Sequence, residues 1–318
     1  MSAAADPRRR WLHRLGAALS ALALAWIVWR FARDLGREPV LARLLDAALL
    51  WRVLAASLLY AFGLGLLVLA WQRLLVALAG RALPLATVGS GYATSQFGKY
   101  LPGNVAHYVL RHARLRKLDL AHALLLAAGM LEALGLVLAA ATWSLLLLGG
   151  EAWHALRAAL AAADGPWRWL LPLAVLLAAG LLGTAAWWWW RSPASLRQRL
   201  RALRAAIPPP RALLPVLGLH LIFFAVMASC LWLLAGALPS APPWPRLAGA
   251  ATASWLGGFL VPGAPGGLGV REVLLVGLLH GTMPAGNALL LAAAFRVTTF
   301  SGDVLLFAVG ALGWRHTR

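Results

Sequence analysis

Charge is scarce in this chain: of 318 residues only 10 are Asp or Glu and 29 are Lys or Arg, 12% in all. A soluble globular domain carries about a quarter charged residues, so that class is excluded. The single cysteine, Cys230, lies in an apolar run, which rules out a disulfide within these residues and a cysteine-based metal centre. No Walker-type GxxxxGK[ST] stretch occurs, so the loop that commonly cradles ATP phosphates is missing. Lysine is nearly absent, Lys99 and Lys117 being the only two. Arg, Ala, Leu and Gly dominate, the mark of a GC-rich coding bias, and this makes Lys99 harder to dismiss than any one arginine.

Apolar residues are abundant: 62% of the chain is hydrophobic, 17 residues are Trp, and the mean hydropathy is +0.76. Continuous apolar runs, each long enough to cross a hydrocarbon core of roughly 30 Å, predict helices; the strands of a barrel would alternate polar and apolar. The fold class expected is an all-α polytopic membrane protein, one transmembrane domain over 1–318. Six spans follow from apolar length, at 15–31, 51–71, 120–148, 168–190, 212–238 and 287–312. Residues 84–117 and 245–283 remain, too apolar for ordinary loops and interrupted by Gly and Pro.

Arg8, Arg9 and Arg10 precede an apolar run from Leu15 to Val28 that resembles a signal peptide. It passes into Trp26, Trp29 and Arg30 without a small-x-small cleavage site, so it reads as an uncleaved first helix. The net charge of +19 sits in short runs between spans, where it anchors to anionic head groups, and nucleic acid is not an expected partner. Counting basic residues in short loops places both termini in the cytoplasm, in the cell inner membrane. Residues 30–52, with Arg30, Arg33, Arg37, Arg43 and Arg52, dissent from this count. The run from Trp187 to Trp190 before Arg191 suits an interfacial aromatic belt. For the signs to alternate, 84–117 and 245–283 must each enter and leave on one side, as re-entrant hairpins.

These two segments align at an offset of 160 residues. GKYLPGNVAHYVLR begins at Gly98 and GFLVPGAPGGLGVR at Gly258, setting Gly98, Pro102, Gly103 and Arg111 opposite Gly258, Pro262, Gly263 and Arg271. The flanking spans follow the same offset, so each half reads helix, broken hairpin, helix, over about 47–149 and 207–312. With the topology above, the two halves are inverted repeats, a build used by many secondary transporters with the substrate site between the broken helices.

Taken together, SQFGKYLPGNVAHYVLR (Ser95 to Arg111) and VPGAPGGLGVREVLL (Val261 to Leu275) resemble the membrane region of the lysylphosphatidylglycerol synthase family. The second motif is the more specific, with Pro262, Gly266, Gly267, Gly269 and Glu272 in a P-x3-G-G-x-G-x-x-E pattern. The resemblance implies a flippase-like helical fold that moves a polar phospho- or glycolipid between leaflets. Longer members add a soluble domain that transfers lysine from aminoacyl-tRNA to phosphatidylglycerol; the chain ends at Arg318 after its last span, so the resemblance does not imply that activity. Members tend to carry an acidic-basic pair after the first hairpin, where this chain has Glu132 followed by Ala133.

Candidate substrate-binding residues are Lys99, Asn104, Arg111, Glu132, Arg271, Glu272 and Arg296. Lys99 either faces a lipid phosphate or snorkels to the interface. Arg111 shares a helix face with Arg114, and a cytoplasmic basic cluster explains both equally well. Arg271 is placed to grip a phosphate bidentately, and Glu272 either orients a head-group amine or caps the resuming helix. Glu132, Arg296 and Asp303 are ionisable residues within apolar spans, with a structural pair between Arg296 and Glu132 as one alternative. His107, Tyr108 and His220 read as satisfied helix residues. No spacing makes a metal site, and no cofactor is expected. Two other functions stay open: an intramembrane enzyme acting on lipid-linked phosphate, for which no catalytic constellation is present, and a non-transporting partner subunit.

Overall fold

The computed structural model describes residues 46–100, 106–162, 207–239, 241–261 and 265–315. The expected spans at 15–31 and 168–190, the Trp187 to Trp190 run, Arg8 to Arg10, Pro102, Gly103, Asn104, Pro262 and Gly263 all lie outside them. Contacts divide the chain into two units, Met1–Leu147 with Pro210–Arg318, and Leu148–Pro209. The candidate site lies wholly in the first.

Eight α-helices occur among the described residues, with no strand: α1 (Ala47–Ala79), α2 (Leu85–Ser95), α3 (Ala106–Leu115), α4 (His122–Ala162), α5 (Pro210–Ala235), α6 (Trp244–Leu260), α7 (Val270–Leu279) and α8 (Ala285–Arg315). Four of them, at Ala47–Ala79, His122–Gly150, Pro210–Ala235 and Ala285–Gly313, are long and apolar enough to cross a membrane. α1 outruns the apolar stretch 51–71 at both ends because hydropathy does not register caps. The Asp46 carboxylate accepts from the Ala48 N–H at 3.0 Å, and Gly80 closes the helix in the left-handed region, φ 64°, with its N–H on the Val76 carbonyl.

α1 buries Ala56, Tyr60, Leu64, Leu67, Trp71 and Leu74, a helical stripe. It packs against α5, α8 and α2. Its opposite side carries the exposed Trp51, Leu54, Leu58 and Phe62, as a lipid-facing surface does.

The segments 84–117 and 245–283 are each two short helices joined through 3-10 turns, Gln96–Tyr100 in the first and Pro265–Gly267 in the second. Both are clasped at the mouth. The Arg81 guanidinium donates to the Leu118 carbonyl at 2.5 Å, and Arg246 donates to the Leu278 carbonyl at 2.8 Å. Each hairpin therefore ends beside where it begins. At their far ends the two 3-10 turns touch: a Cβ placed on Gly266 would stand 3.1 Å from the Tyr100 ring.

Candidate functional site

Where the tips meet, a polar cavity of about 60 Å³ opens inside the apolar bundle. A cavity of this size holds a few waters. Its wall takes Tyr92, Lys99, Arg111, Glu132, Trp255 and Arg271 from both hairpins and from α4. A smaller recess beside it includes Arg271, Glu272, Arg296 and Thr299 in its lining. Six of the seven residues singled out from sequence for binding lie in these two recesses; the seventh, Asn104, falls outside the described residues.

The hairpin glycines make this crowding possible. Gly98 packs against the start of α3, where a Cβ would stand 2.5 Å from the His107 amide nitrogen and 2.7 Å from its Cα. Gly258, at the equivalent place in the second hairpin, leaves room for Arg271, whose Cγ would be 2.4 Å from an added Cβ. Gly267, at φ 71°, frames the other side of the same arginine, and Gly266 and Gly269 take positive φ in the turn that starts α7.

Three ion pairs occupy the site. Arg111 and Glu132, each 2% exposed, meet at 2.6 Å. The Tyr92 hydroxyl also donates to Glu132, and the Arg111 guanidinium lies 3.6 Å from the Tyr92 ring and 4.7 Å from that of Trp71. Lys99 reaches both carboxylate oxygens of Asp303 at 2.7 Å, and the Tyr100 hydroxyl donates to one of them, Oδ2, at 2.5 Å. Arg296 stands 3.5 Å from Glu272 and donates to the Gly266 carbonyl. The pairing of Arg296 with Glu132 considered from sequence is not formed; each finds a nearer partner from the hairpin it packs on.

Glu272 accepts from the Gly269 N–H at 2.7 Å, so it caps α7 and balances Arg296 at once. Arg271 differs from the other cations. Its guanidinium sits 5.3 Å from the Trp255 ring and has no carboxylate partner among the described residues, and its buried Nε has no hydrogen-bond acceptor. Arg271 and Glu272 do not pair, because consecutive helical side chains point about 100° apart. The cluster thus holds four cations, Lys99, Arg111, Arg271 and Arg296, against three acids, Glu132, Glu272 and Asp303.

Sequence reasoning underweights Asp303 and passes over Tyr100, Tyr92 and Trp255. An acid in the middle of an apolar span is the available signal for Asp303; for the aromatics there is none beyond position near the hairpins. The expectation that His107 and His220 are satisfied is corrected: Nδ1 of His107 and both ring nitrogens of His220 are buried without a partner. Gly135 lets the His220 ring lie against α4, leaving no oxygen in reach.

An apolar helical bundle with membrane-length helices, two opposed broken hairpins and a buried polar centre defines a multi-pass membrane protein built around an intramembrane charged site. The chain matches the model of the lysylphosphatidylglycerol synthase TM region over residues 15–310, and it belongs to that family. No curated protein matches it. The family associates the chain with membrane lipid.

Proposed function

We propose that this protein is a flippase-like transporter that passes the polar head group of a phospho- or glycolipid between leaflets of the cell inner membrane, tails remaining in the bilayer. The observation that carries the reading is Arg271: a guanidinium whose buried Nε has no acceptor and which has no carboxylate partner among the described residues, in a cluster where cations outnumber acids by one, matches a head group with one phosphodiester charge. At about 60 Å³ the cavity is too small for a head group, since ligand pockets run to several hundred Å³, so the tips must part during transport. Clasped hairpin mouths, the repeated helix order and the equivalent placing of Gly98 and Gly258 support re-entrant hairpins in inverted repeats; the count of basic residues in short loops supports cytoplasmic termini.

Reconstitution in liposomes with fluorescent head-group-labelled lipids tests this. Wild type is expected to equilibrate an anionic lipid between leaflets, and Arg271→Gln to slow it without loss of thermal stability, because no ion pair is broken. No lipid movement above empty liposomes overturns the reading. A second reading, an enzyme acting on lipid-linked phosphate, draws on His107, whose unpartnered Nδ1 is buried and whose side chain lines the same cavity. Phosphate release in the same liposomes, abolished in His107→Gln, favours it.

A further inference from the structure

Apart from the polar cavity, and far larger than it, a groove of about 560 Å³ runs between α3 and α4, closed at its base by Trp71 of α1. Its walls are apolar and its rim is exposed: Val109 at 65%, Leu126 at 62% and Met130 at 74%. From His122 to Ala133 it follows twelve residues of α4, about 16 Å at the helical rise, which is half of a hydrocarbon core of roughly 30 Å. The groove therefore has the depth of one leaflet.

Its two other features are polar. At the hairpin mouth it begins with Arg116, exposed, and with His112 and His122, whose rings stack at 4.9 Å and share a 2.6 Å hydrogen bond. One Arg116 nitrogen is committed to the Leu120 carbonyl, and the rest of the guanidinium is open. α4 starts at the same place after Ala121, which has no side-chain oxygen to cap it, so its first N–H groups are open to an anion. Further in, Tyr108 and Arg111 line both the groove and the polar cavity, forming the wall between them. Arg111 and His112 are neighbours on α3, turned about 100° from one another, so one faces the cavity while the other faces the mouth.

We propose that this groove is the lateral loading site for an anionic phospholipid: the phosphate sits on Arg116 and the His112–His122 pair, one acyl chain lies along α4, and the Tyr108–Arg111 wall is the gate to the cavity. An apolar peptide would match the walls but not the cationic mouth, and a free phosphate would match the mouth but leave the walls empty. The inference rests on the lipid-transport reading and supplies its point of entry.

Crosslinking tests it in the full-length protein, in nanodiscs containing phosphatidylglycerol with a diazirine midway along one acyl chain. Adducts are expected on α3 and α4 around Val109, Leu126 and Met130, and lost in Met130→Trp, which fills the groove from an exposed position compatible with folding. Exchanging phosphatidylglycerol for phosphatidylcholine, or Arg116→Ala, is expected to weaken groove labelling about fivefold, the effect of one basic residue at a membrane surface. Labelling spread evenly over lipid-facing residues, Val309 included, and indifferent to Met130→Trp overturns the site; equal labelling by both lipids overturns its charge selectivity. Liposome transport run in parallel separates the two readings. Transport without groove labelling sinks the loading site alone, and groove labelling without transport sinks the transporter and leaves a lipid-binding groove.

Discussion

Lys99 on the tip of the first hairpin is held at 2.7 Å by Asp303 of α8, so a cation from one half of the chain is neutralised by an acid from the other. Asp303 is fully buried and the Lys99 side chain is 20% exposed. Removing the lysine strands the carboxylate with Tyr100 alone. Lys99→Ala is expected to destabilise by roughly 3 kcal/mol, the usual cost of an uncompensated buried charge, whereas Lys99→Met with Asp303→Leu restores most of it. Thermal unfolding in detergent of the two singles and the double gives the coupling; additive effects would show that the pair is not coupled.

Gly98 gives a sharper test of the backbone. An added methyl meets the His107 amide nitrogen and Cα, atoms of a rigid helix start that cannot rotate away. Gly98→Ala is expected to separate the tip from α3 and lower the melting temperature by several degrees, an overpacking cost of about 1–3 kcal/mol. Gly277, with open space around it, is the control: Gly277→Ala is expected to raise helix stability slightly.

Helices and hairpins are legible in the amino-acid sequence because they rest on local signals. Apolar length marks four described helices, and the Gly-Pro breaks repeated at one offset mark both hairpins. The partners are not legible. Lys99 and Asp303 are 204 residues apart, and Arg111 finds its acid, Glu132, 21 residues on and in another helix, α4. Arg271 and Glu272, neighbours in sequence, are turned to different surroundings, Arg271 to the Trp255 ring and Glu272 to the Gly269 N–H and Arg296, which adjacency in sequence does not reveal. The caps Asp46 and Gly80 explain why α1 runs longer than its apolar core.

Glu272 has two tasks that substitution can separate. Glutamine keeps an oxygen for the Gly269 N–H but loses the charge facing Arg296 at 3.5 Å; alanine loses both. Glu272→Gln is expected to cost little stability, and Glu272→Ala about 1–2 kcal/mol more, the size of a lost cap. Equal loss in both variants would make the ion pair, and not the cap, the dominant contact. If transport falls already in Glu272→Gln, the charge acts on the lipid cycle and not only on the fold.

The His112–His122 bond gives the hairpin mouth a pH dependence whose sign is fixed. A 2.6 Å N···N contact needs one ring nitrogen as donor and the other as acceptor, and two imidazolium rings offer no acceptor. Burial first, then His122 and Arg116 beside it, hold the His112 pKa below its ordinary value. The unfolded chain therefore takes up the proton before the folded one does. Above about pH 6.5 both states are neutral at this site and stability does not vary with pH; as pH falls below that value stability is lost, until the folded state titrates too. Hydrogen exchange of residues 106–125, corrected for intrinsic rates, is expected to quicken between pH 7.5 and 5.5 and to lose that response in His112→Phe. Slower exchange at the lower pH would mean that the pair gains a proton on folding, and that the mouth is strengthened by acid.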